Sequence, residues 1–158
     1  VTDAITLVRP DDMILREGHI MLSQRSAEVD TFDDELVDLI ARMVRIVNDT
    51  KAYGLAAVQI GVPLRVIVTR FDGEIMWMVN PVLTRTLNRE AVEREGCLSV
   101  SPDNWRTVSR PAKCEIAWRD GMGRTYERGF SGKLARILQH EIDHLEGVLI
   151  TDKPIVKN

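Results

Sequence analysis

The sequence predicts an α+β fold in which antiparallel strands pack around a C-terminal helix carrying His140-Glu141-x-x-His144, with one further helix near the N terminus. Three observations predict it. An apolar stripe at three- and four-residue spacing occupies residues 36–47. Short β-rich runs separated by Gly, Pro, Asn and Asp fill residues 65–130. A second helical pattern then follows from Ser131. Helix, strands, helix is the order of an α+β domain, whereas a parallel sheet would alternate strands with helices.

Each element has its own signal. Residues 1–30 read as an irregular arm anchored by Leu7, Val8, Ile14 and Leu15. Thr31 is an N-cap candidate, and Asp33, Asp34 and Glu35 follow it where a helix dipole favours acids. Leu36, Leu39, Ile40, Met43 and Val47 give that helix one apolar face until the chain breaks near Tyr53 and Gly54. Strands are expected over 65–69, 76–79, 92–95, 106–109, 113–119 and 124–130, and the turn Asp120-Gly121-Met122-Gly123 should join the last two as an antiparallel hairpin. Ser131 can cap the second helix, and Gly147 can end it in a left-handed conformation.

The 158 residues fit one domain, so the expectation is a single catalytic domain over 1–158. A formal charge of -3 with scattered Lys and Arg argues against DNA or another nucleic acid as partner. No run approaches the roughly 20 apolar residues of a membrane span, and no leader-like start is present, which points to a cytoplasmic protein without a membrane partner. Cys97 and Cys114 are expected as free thiols, or one of them as a thiolate ligand.

His140 and His144 stand one turn apart, so at about 100° per residue both rings leave the same helix face and can grip one ion. Glu141 lies about 100° round from His140, badly placed as a third ligand and well placed as a base toward the attacking water. The apolar stripe Leu134, Leu138, Ile142 and Leu145 centres on another side of the helix. A short pattern of this kind also arises by chance on ordinary helices. His19, in the arm, is expected at the surface.

Two histidines need a third ligand and an open position. The position six residues beyond His144 is Ile150, which cannot coordinate, and no glutamate follows at the spacing of the other common protease form. The third ligand is therefore sought upstream. Glu95-Gly96-Cys97-Leu98-Ser99 offers the Cys97 thiolate, although on a strand-like segment Cys97 reads equally as a small core residue. Cys114, among alternating apolar neighbours, belongs to the core.

Together with Gly54-Leu55-Ala56-Ala57-Val58-Gln59-Ile60-Gly61, these segments resemble the peptide deformylases, whose motifs GxGLAAxQ, EGCLS and QHExDH occur in this order. The second and third are matched in full; in the first, Ala52 stands for a glycine and Val58 for a common proline. With only eleven residues after Gly147, the chain resembles a short form of the family.

The resemblance implies a hydrolase of protein biosynthesis that removes the formyl group from N-formylmethionyl peptides, on nascent chains at the ribosome, as a monomer. It implies metal ligands Cys97, His140 and His144, and Glu141 as base and proton carrier. Gln59 and the backbone N–H of Leu98 would stabilise the oxyanion, with Gly54, Ile137 and Arg136 at the substrate. Fe(II) would be the native ion, with Zn(II), Ni(II) or Co(II) able to replace it. Arg136 occupies a pocket position where an apolar residue is usual; its stem should cover the pocket while its head reaches solvent, favouring acidic or polar residues further along the peptide. Glu95 is expected to pair with Arg110. A broader metallopeptidase and a non-catalytic metal-binding relative are the alternatives.

Overall fold

The computed structural model describes residues 14–87 and 89–156, so the anchors expected at Leu7 and Val8 lie outside the described residues. Helix α1 spans Asp34–Thr50 and helix α2 spans Gly132–Leu145. The strands are β1 (Gly54–Ala56), β2 (Val66–Phe71), β3 (Glu74–Thr86), β4 (Glu90–Glu95), β5 (Arg106–Pro111), β6 (Lys113–Arg119) and β7 (Thr125–Ser131). They form a five-stranded antiparallel sheet ordered β1-β2-β3-β6-β7 and a separate β4-β5 hairpin.

Helix α1 begins two residues later than Thr31 would place it. The Asp33 side chain, rather than that of Thr31, accepts from the Leu36 N–H at 3.1 Å and satisfies one of the free donors of the first turn. Leu36, Ile40, Met43 and Val47 are buried as the spacing predicts, Ile46 joins them, and Leu39 is only partly covered. The helix stops at Lys51, which takes the left-handed conformation at φ 57°.

Strand β2 explains how both helices find a core. Val66 and Val68 on β2 pack with Leu55, Val79 and the α1 stripe, while the intervening Ile67 packs with Met78, Ile116 and the α2 residues Leu138, Ile142 and Leu145. Strand side chains alternate between faces, so an unbroken Val-Ile-Val run is buried on both. The sheet therefore separates α1 from α2, and α2 is the helix that the strands enclose.

At its start α2 follows Ser131, whose side chain makes no capping bond; the Gly132 N–H instead donates to Ala112 O at 3.1 Å. At its end Gly147 has φ 76°, and a Cβ there would stand 2.6 Å from the Ser23 carbonyl. Glycine is thus required twice over, by conformation and by close approach. The hairpin of β6 and β7 forms as expected, with Asp120 Oδ1 accepting from the N–H groups of Met122 and Arg124. Sequence periodicity missed β1, which has only three residues. Cys97 lies in a turn following β4 rather than on a strand.

Candidate active site

Helix α2 delivers the histidines and the turn after β4 delivers the cysteine. One ligand atom from each of Cys97, His140 and His144 can be chosen so that all three lie within 4.8 Å of one another. Cys97 Sγ is 3.5 Å from His144 Nε2, and the two imidazole centroids are 5.0 Å apart. All three residues are buried. One thiolate and two imidazoles within a few ångströms are a donor set suited to a divalent transition-metal ion.

The ring of His140 is oriented by Glu95. Glu95 Oε1 is 2.9 Å from His140 Nδ1, leaving Nε2 for the centre, and the same carboxylate accepts from Arg110 Nε at 2.6 Å and Arg110 Nη2 at 2.9 Å. The expected Glu95–Arg110 pair is present. Arg110 also donates to Asp143 Oδ2 at 2.7 Å, so the pair is tied back to α2. Burial pushes the Glu95 carboxyl up, but hydrogen bonds from His140 and Arg110 outweigh it and hold the group well below the usual carboxylate range. Burial likewise pushes His140 down, while Cys97, Glu141 and Glu95 overcome it and raise the ring to about 10. A metal bound at this ring would have to displace that proton. For His144, burial and the neighbouring His140 charge push the ring well below its ordinary range, into the neutral form that a ligand needs. These observations fit the residues to a divalent ion.

Glu141 lies against β1. A Cβ on Gly54 would stand 2.6 Å from Glu141 Oε2, so the glycine leaves the space that the carboxylate occupies. Gly54 is therefore neither the end of α1, a position taken by Lys51, nor only a gap for incoming backbone. Glu141 Oε2 sits 4.0 Å from His140 Nε2, and Oε1 is buried with no hydrogen-bond partner among the described residues. Burial raises the Glu141 carboxyl to about 7, against the lowering effect of the His140 charge.

Gln59 is carried by the 3-10 turn Ala57–Ile60 directly after β1. Its Oε1 accepts from Ala56 N at 2.9 Å, which fixes the amide so that Nε2 points at Ser99 Oγ (3.0 Å) and Cys97 Sγ (3.7 Å). Gln59, Leu98, Gly54, Ile137, Arg136, Cys97, His140 and Glu141 all line one cleft of about 350 Å³; His144, almost fully buried, is not among the residues that line it.

Arg136 requires a correction. Arg136 lines the cleft, but its head does not reach solvent: Nη1 donates to Glu95 Oε2 at 2.6 Å and Val108 O at 3.0 Å, and Nη2 to Ala91 O at 2.6 Å. A guanidinium so occupied is not offered to acidic peptide residues, and that expected preference loses its basis. His19 is exposed, as expected, with Nδ1 accepting from Met21 N. Cys114 is buried in the core, its thiol pushed up to about 11 by burial.

Sequence reasoning missed Tyr53, Trp105 and Lys133 on the cleft walls. Lys133 had a signal, since Lys133, Arg136, Ile137 and His140 recur at the spacing of one helix face. Its ammonium lies 4.4 Å from the centre of the Tyr53 ring across the cleft. Trp105 had none: it is brought in by the β4-β5 hairpin, where its ring covers Gly96 so closely that a Cβ would be 2.9 Å away.

The polypeptide deformylase family model matches residues 12–157. A peptide deformylase of Rhizorhabdus wittichii is 39% identical over 150 residues, covering 89% of this chain and 84% of its own. Peptide deformylase 2 of Gloeobacter violaceus is 37% identical, over 93% and 81%. Among solved structures, the Thermotoga maritima peptide deformylase superimposes with a TM-score of 0.87 at 32% identity, covering 91% of this chain and 97% of that one. The Synechococcus elongatus enzyme in complex with actinonin gives 0.85 at 35%, covering 92% and 78%.

Proposed function

Because the chain belongs to the polypeptide deformylase family of metal-dependent hydrolases, we propose that Cys97, His140 and His144 hold its divalent ion and that Glu141 is its base and proton carrier. The reaction is hydrolysis of the formamide at the formyl-methionine terminus of a nascent polypeptide: water adds to the formyl carbon, the C–N bond breaks, and formate and a free amino terminus leave. The observation that carries the assignment is the pairing of three ligand atoms within 4.8 Å with a buried Glu141 Oε1 that has no hydrogen-bond partner among the described residues, in the cleft that Cys97 and His140 also line.

A divalent ion bound there supplies Lewis acidity, polarising the carbonyl and making water acidic enough to attack near neutral pH. The remaining steps belong to side chains. Glu141 accepts the proton of the attacking water and returns it to the departing amine, and a carboxyl raised to about 7 suits both transfers. Gln59 Nε2 and the Leu98 N–H donate to the oxyanion that develops on the formyl oxygen; the Ala56 contact keeps the Gln59 amide from turning. Ile137 and the Arg136 stem wall the space for the substrate's first side chain, and Gly54 borders the path of its backbone.

Fe(II) is the native ion in this reading, with Zn(II), Ni(II) or Co(II) able to bind the same donors. The chain acts as a cytoplasmic monomer and single catalytic domain on peptides emerging at the ribosome. Among the described residues no helix is long and apolar enough to cross a membrane. Protein purified without air should release formate from a formyl-Met peptide, leave the unformylated peptide intact, and carry one ion per chain. Cleavage of the unformylated peptide would instead indicate a broader metallopeptidase.

A further inference from the structure

Arg136 makes more polar contacts than a cleft wall requires. It lies one turn before His140 on α2 and is buried to 7% exposure. Its bonds to Val108 O at 3.0 Å and Ala91 O at 2.6 Å lock the guanidinium between β5 and β4, and that lock aims Nη1 at Glu95 Oε2, 2.6 Å away. The Glu95 carboxylate then has two partners on each oxygen: His140 Nδ1 and Arg110 Nη2 on Oε1, Arg110 Nε and Arg136 Nη1 on Oε2. With Arg110 alone, Oε2 would keep one of its two donors, and the carboxylate plane that orients the His140 ring would be less firmly held.

We propose that Arg136 is a positioning residue for the metal centre, acting through Glu95 on His140, so that the substrate cleft and the ion share one side chain. This rests on Cys97, His140 and His144 being the ligands. Partners that orient a ligating histidine typically change metal affinity by about 10- to 100-fold when removed. Lysine at this position keeps the charge but, lacking the planar fork, cannot reach two strands and the carboxylate together.

The test follows release of Ni(II) from the loaded full-length chain into excess chelator, with circular dichroism establishing that each variant is folded. Arg136→Met should release nickel about tenfold faster than the parent or more, with Arg136→Lys between them. In a Glu95→Gln background, Arg136→Met should add less than about threefold, because both changes act through one carboxylate. Parental release rates in folded Arg136 variants, or failure of both variants to fold, would overturn the proposal and leave Arg136 a support of the fold. Cys97→Ala separates the underlying reading. Retention of nickel there refutes the ligand assignment, whereas its loss there beside parental rates in the Arg136 variants refutes only the role of Arg136.

Discussion

Helices α1 and α2 are both amphipathic, and the sheet holds one on each side, yet they bury different things. The five buried residues of α1 are all apolar, from Leu36 to Val47. Of the ten buried residues of α2, five are polar or charged: Arg136, Gln139, His140, Glu141 and His144. Burying polar groups costs free energy unless each has a partner. On α2 most are satisfied from other elements, by Glu95, Val108 O, Ala91 O and Pro111 O. Those without one among the described residues, Glu141 Oε1 and His144 Nδ1, both belong to the proposed centre. The contrast teaches that α1 answers to packing alone, whereas α2 is shaped by chemistry.

That contrast can be broken by substitution. Glu141→Ala should have the largest effect on turnover, a fall of about 10²- to 10⁴-fold in kcat for formate release with the ion retained. Activity surviving that change would remove Glu141 from the mechanism. Gln59→Ala should lower kcat by about 10²- to 10³-fold, the scale of a lost oxyanion donor, with a smaller change in KM. Gly54→Ala pushes a methyl group toward Glu141 Oε2, where a Cβ would stand 2.6 Å away, and should cost about 10²-fold as the base is displaced. A parental rate would mean that the β1 contact is irrelevant to the base. On the other helix, Met43→Ala removes a fully buried side chain; it should lower unfolding free energy by about 2–5 kcal/mol in denaturant melts and leave kcat/KM near parental. A large loss of activity from that change would erase the distinction between the helices.

The helices differ in how far they could be read in advance. The Leu36-to-Val47 stripe and the His140–His144 spacing are local and follow from helix geometry, so both were legible, as were six of the seven strands. Cys97 was legible as a ligand only through the motif around it, because a lone cysteine in a turn carries the same signal as a core residue. The Gly54–Glu141 contact was not legible: it depends on how a three-residue strand lies against a helix 87 positions further on. Arg136 was misread for a related reason. Its counter-charge, Glu95, comes from the β4-β5 hairpin, 41 residues away, and nothing local distinguishes a buried, saturated guanidinium from one that reaches solvent.

The most direct test of the central claim is X-ray absorption at the metal edge of the loaded chain, beside its Cys97→Ser variant. The account predicts one sulfur and two imidazole scatterers around the ion, with the sulfur contribution lost in the variant. A shell of nitrogen and oxygen alone in the parent would contradict it.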